Sequence, residues 1–237
     1  MNYIKIDYKA FIFLTLTFIL MTVIGTLTHE LGHYSVSKYL GYEANINYKS
    51  SSHWDNELND YFQGVYKNYS NEIKNNLDFP EKEKYQITIK KYQADNFWIL
   101  LGGPLQTILT GSIGLLLLVA YRPKFITADK VSLTGWTLIF ISLFWLRQVA
   151  NLFVAVMTFL IKGQTSLSGD EMRLAFHLDI NIWTIQIITG LLGLAVLFIV
   201  LKLLPKTILL AFLLSGLTGG ILGYYLWLVK FGQYIMP

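Results

Sequence analysis

The sequence predicts an α-helical polytopic membrane protein: about five transmembrane helices, with a small αβ insertion between helices one and two. Three observations carry that expectation. Of 237 residues, 54% are hydrophobic and only 14% charged, too apolar for an ordinary soluble domain. Five uninterrupted apolar runs each reach the roughly 20 residues needed to cross a ~30 Å hydrocarbon layer. One sizeable polar stretch, roughly Gly41 to Asn96, parts the first run from the second. The chain divides accordingly into 1–40 (first helix), 41–96 (polar insertion), 97–180 (second and third helices with the segment after them) and 181–237 (two C-terminal helices).

The first run, Ala10–Ser37, would measure about 42 Å as a helix, so its last turns must emerge, tilt or line a cavity. Lys5 and Lys9 precede it in the manner of a secretory signal, but no small-residue cleavage pattern precedes His29, and it reads as a retained anchor. Glu30 is its only charged residue, set within His29-Glu30-Leu31-Gly32-His33. A carboxylate between two imidazoles in an apolar span is costly without partners, and so marks function by default. Four positions apart on a helix, both rings leave one face and can grip one metal ion. Glu30 can then reach a metal-bound water as general base, the pattern of a zinc hydrolase. The bland alternative is a polar helix end at the membrane interface.

In the insertion, Tyr42–Tyr48 is strand-like, and Tyr85, Ile87 and Ile89 alternate with polar residues as in a second strand. Between them Leu58, Tyr61, Phe62, Val65, Tyr66, Tyr69 and Ile73 recur at helical spacing, and Pro80 ends that section. This predicts an αβ cap with its aromatic stripe packed on the strands; the competing reading is a helix on the bilayer surface or gating the site.

The second run, Phe97–Tyr121, opens near Gly102-Gly103-Pro104-Leu105, which either opens the helical hydrogen-bond ladder or permits close packing. The third, Val131–Ile161, carries a polar patch of Arg147, Gln148 and Asn151 that should face the protein interior, orienting ligands, stabilising an oxyanion or lining a water channel. Asn151 and Gly103 are thus candidates for substrate or oxyanion contacts. The fourth and fifth, Ile182–Leu204 and Thr207–Val229, hold glycines 190, 193, 216, 219, 220 and 223 at spacing suited to close helix contact. His53, beside Trp54, reads as a surface residue.

A catalytic zinc site needs three protein ligands and an open position. Cysteine is absent, which leaves His, Asp and Glu. By span parity, the segment after the third run lies on the same side as His29 and His33. Asp170 is the first candidate there, Glu171 the second and His177 the third; the structural alternative for Asp170 is a helix cap or first-turn acid.

An apolar span ending in His-Glu-Leu-Gly-His, a strand-forming insertion, and a next span opening with Gly103-Pro104-Leu105 together resemble the site-2 protease family of intramembrane zinc metalloproteases. The resemblance covers roughly residues 10–175. It implies Zn²⁺ held by His29, His33 and a later Asp, here Asp170, with Glu30 as catalytic base. It also implies a transmembrane protein or peptide as substrate. The chain departs from the family where Asn151-Leu152 lacks the following proline and Asp170 stands in Gly-Asp-Glu. A non-proteolytic metal-binding adaptor or carrier is the competing function. The net charge of +4 gives no sign of a nucleic-acid partner. The expected location is a multi-pass position in the cell membrane. Lys5, Lys9, Arg122, Lys124, Lys130, Lys202 and Lys206 favour a cytoplasmic N-terminus, whereas the resemblance implies the opposite sidedness.

Overall fold

The structure, a computed structural model, describes residues 7–127, 130–164 and 169–237. Lys5 and residues 165–168 of the segment after the third run lie outside these. Helix α1 (Tyr8–Tyr39) begins at Asp7, whose carboxylate accepts from the backbone N–H groups of Lys9 and Ala10 at 3.0 and 3.1 Å. That satisfies two of the donors a helix start leaves open. Strands β1 (Glu43–Ile46) and β2 (Ser51–Trp54) form an antiparallel hairpin in which Glu43 faces Trp54 and Ile46 faces Ser51. Its loop is fixed by Asn47, whose side-chain oxygen accepts from the N–H groups of Lys49 and Ser50.

Helix α2 (Asn56–Lys74), capped by Asp55, leads to α3 (Lys82–Phe125), 44 residues long. At about 1.5 Å per residue α3 reaches roughly 66 Å, more than twice the hydrocarbon thickness. Its first turns therefore project beyond any bilayer. The expected second strand over Tyr85–Ile89 is here α-helix instead. Nothing between Lys82 and Gly102 breaks a helix, and the partly buried positions 82, 85, 88 and 89 follow helical rather than alternating spacing. The aromatic stripe of α2 consequently meets α3 and the segment just before it, not strands: Phe62 lies edge-on to Tyr85 and Tyr92, and Tyr69 stacks on Phe79 at 5.0 Å.

The third apolar run is two helices, α4 (Leu133–Ser142) and α5 (Leu146–Lys162), joined by a 3-10 turn at Leu143–Trp145. After α5 come α6 (Asp170–His177), α7 (Thr184–Leu203) and α8 (Lys206–Gly223). A π-helical turn (Tyr224–Phe231) and α9 (Gly232–Ile235) complete the described chain. Five helical stretches, Tyr8–Tyr39, Lys82–Phe125, Leu133–Lys162, Thr184–Leu203 and Lys206–Ile235, are long and apolar enough to cross a membrane. Their outer faces expose large apolar side chains such as Phe13, Leu16, Leu191, Leu217 and Ile221, surfaces compatible with lipid.

Helix α1 is flanked by α3 and α8, α4 packs on α3, and α7 packs on α5. The apolar core lies around the N-terminal half of α1. There Leu14 and Phe18 meet Ile139, Phe140, Val200 and Phe212, with Phe18 5.0 Å from the Phe140 ring and 5.3 Å from the Phe212 ring. The C-terminal half of α1 is different. Its buried residues include His29, Glu30, Gly32, His33 and Ser37, and polar chemistry gathers there.

Candidate metal centre

Helix α1 delivers His29 and His33 from one face, and their Nε2 atoms end 3.2 Å apart. Helix α3 approaches closely because glycine meets glycine. A methyl group built on Gly32 would collide with the carbonyl of Gly102, and one on Gly102 with that of Gly32. One residue on, a Cβ at Gly103 would run into both imidazole Nε2 atoms. The Gly102-Gly103 pair thus serves packing: helix α3 runs unbroken through Pro104, and the missing side chains make room for the rings.

The same stripe of α3 orients those rings. Ile99, Gly103 and Thr107 lie four residues apart on one face. The Nδ1 atom of His33 is 2.7 Å from the carbonyl oxygen of Ile99, which can only accept, and 3.3 Å from the Gly103 N–H; the much shorter contact places the hydrogen on Nδ1. The Nδ1 atom of His29 is 2.9 Å from the Thr107 hydroxyl oxygen. That hydroxyl donates its one proton to the Gly103 carbonyl at 3.1 Å, leaving the oxygen to accept from His29. Both imidazoles are therefore held in the tautomer that turns a bare Nε2 lone pair inward. Such hydrogen-bonded Nδ1 groups are the usual support of metal-binding histidines.

Asp170 opens α6 and brings a third lone-pair atom to the same point. Its Oδ2 lies 2.8 Å from His29 Nε2 and 3.3 Å from His33 Nε2. Three acceptors facing one another this closely need positive charge between them. A proton serves one contact; a metal ion serves all three. The buried ligand atoms of His29, Glu30 and His33 also lie within 4.8 Å of one another, a grouping able to hold a metal ion.

Glu30 is buried, and its Oε1 is 3.5 Å from Nη2 of Arg147 on α5. Asn151, one turn further along α5, donates its amide to both oxygens of Glu171 at 3.2 and 3.4 Å. Glu171 is fully buried, and its carboxyl is pushed up by that burial and then by the neighbouring Asp170 charge. Its carboxylate is thus engaged with Asn151, while that of Asp170 faces the histidines. His177 is exposed beside Asn96 and Phe97. His53 is half-buried, its ring 5.5 Å from that of Tyr42.

Of the residues singled out from the sequence, the structure brings together His29, His33, Glu30 and Asp170 and sets Arg147 and Asn151 beside them. Sequence reasoning missed Ile99 and Thr107 as ring anchors and the pairing of Arg147 with Glu30. The only available signal was the i, i+4, i+8 spacing of Ile99, Gly103 and Thr107. No known protein-family profile, curated protein or solved structure matches this chain.

Proposed function

We propose that this protein is an intramembrane zinc metallopeptidase of the site-2 protease type, hydrolysing peptide bonds within or near transmembrane segments of membrane proteins. The observation that carries the proposal is the convergence of two Nε2 atoms and one carboxylate oxygen beside a buried glutamate. Ligands about 2.0–2.1 Å from a tetrahedral zinc ion lie roughly 3.3–3.4 Å apart. The three separations in the cluster, 2.8, 3.2 and 3.3 Å, are close to that before any ion draws the groups into place. His29, His33 and Asp170 would hold the ion. When bound, zinc lowers the pKa of water and polarises a carbonyl.

The chain's own groups supply the rest. Glu30 takes the proton of the attacking water and returns it to the amine that leaves. Thr107 and Ile99 keep both imidazoles in the tautomer whose Nε2 is free to bind metal. The hairpin β1–β2 lies against α1, where a strand edge can receive an unwound substrate by β-addition. Unwinding is required because a helical substrate shields its carbonyls in hydrogen bonds.

The test is Glu30→Gln in purified, zinc-replete protein, with metal content and cleavage of a transmembrane peptide measured together. The expected result is about one zinc per chain in both proteins and loss of hydrolysis, by 10²-fold or more, in the variant. A protein that stays metal-free under replete conditions, or cleaves equally well without Glu30, would overturn the proposal. Unchanged native function in the variant would favour an adaptor or carrier.

A further inference from the structure

Arg147 is not required by the metal site, yet it occupies the most expensive position in the third span. It stands on the first turn of α5 with its side chain mostly buried. Among the described residues its guanidinium reaches Glu30 through Nη2 at 3.5 Å, long for a charge-assisted hydrogen bond. The Nε–H group is buried with no partner among the described residues. An unpaired buried donor of this kind is costly and calls for a partner that the described chain does not supply: a water, an ion or a ligand group. The guanidinium's field extends over His29, Glu30 and Glu171. A permanently charged fork with unused N–H groups therefore borders the cluster on the side of the general base.

We propose that Arg147 is a catalytic residue, the hydrogen-bond donor that receives the oxyanion of the scissile peptide; this rests on the peptidase reading above. During attack, the water oxygen bonds to the carbonyl carbon, its proton passes to Glu30, and the carbonyl π pair moves onto oxygen. Negative charge leaves Glu30 and arises on the substrate in one event. The guanidinium follows it, loosening from Glu30 and engaging the new oxyanion through its spare N–H groups. When the C–N bond breaks, the proton goes from Glu30 to the departing nitrogen, the pair returns to the carbonyl, and Arg147 returns to Glu30. Donors set in place for a charge that forms only in the transition state accelerate the reaction most.

The test compares Arg147→Gln and Arg147→Lys with the zinc-loaded wild type. Calorimetry measures a leucine dipeptide phosphinate, which mimics the tetrahedral oxyanion, and the matching hydroxamate, which binds chiefly through the metal. Arg147→Gln should weaken the phosphinate about 100-fold and the hydroxamate less than about threefold. It should lower kcat by about 10²–10³-fold with KM unchanged. Arg147→Lys, which keeps charge but not the fork, should recover about tenfold of each loss. Equal weakening of both inhibitors, or of neither, overturns the inference while leaving the peptidase reading intact. A wild type that binds neither inhibitor and cleaves nothing overturns both.

Discussion

Thr107 shows how much of a candidate metal site can depend on a side chain that is not itself one of the grouped ligands. It fixes the His29 tautomer by accepting from Nδ1–H, so Thr107→Val leaves that donor buried and unpaired. Removing such a support typically costs 10–100-fold in metal affinity. Competition with a calibrated chelator should show a loss in that range for Thr107→Val, and near wild-type affinity for Thr107→Ser. His29, Glu30 and His33 were legible in the sequence because a helix converts a four-residue spacing into a shared face, whatever the rest of the fold. Asp170 was legible only as the first of three candidates, since span parity gives a side of the membrane but no distance. Thr107 lies 78 positions from its partner, and nothing local in a threonine of an apolar helix marks it as a ring anchor.

At the scale of elements, close helix approach without a large side chain recurs on both flanks of α1. On one side Gly32 meets Gly102. On the other, the Ser215 hydroxyl donates to the Phe11 carbonyl at 2.9 Å, and a Cβ on Gly219 would lie 2.7 Å from the Thr15 carbonyl oxygen. In lipid such contacts replace the hydrophobic drive that packs helices in water. Gly219→Val should therefore cost about 1–3 kcal/mol through overpacking. Gly220→Val, with nothing within 4 Å of the new atom, should change stability by less than about 0.5 kcal/mol. Denaturation midpoints in detergent distinguish them. The glycine spacing foretold this kind of contact but not the partner helix. The insertion was read less well: Tyr85, Ile87 and Ile89 imitate strand alternation over five residues. The uninterrupted run into the second span was the stronger signal, and it favours helix. The hairpin itself is tied to the far end of the chain. Trp227 Nε1 donates to the Tyr48 carbonyl at 2.8 Å, and the Tyr48 N–H to the Met236 carbonyl at 3.0 Å.

For the whole molecule, the cluster joins α1 to α6 across an interface that α3 completes, so an ion bound there ties three elements together. Metal removal should lower the thermal midpoint of the entire protein rather than loosen one segment. An ion present at a hundred times its Kd adds about 2.7 kcal/mol to stability. That contribution needs deprotonated imidazoles. It is lost as acid protonates the ligands. Thermal melts with and without a chelator should differ at pH 7.5 and draw together as the pH falls.

The 141 positions between His29 and Asp170 also set a clock. At ~5–20 residues per second of synthesis, the helix bearing both imidazoles waits about 7 to 28 s on the ribosome before its carboxylate partner has even been made. Throughout that interval the newborn chain holds the two imidazoles without the carboxylate that completes the cluster.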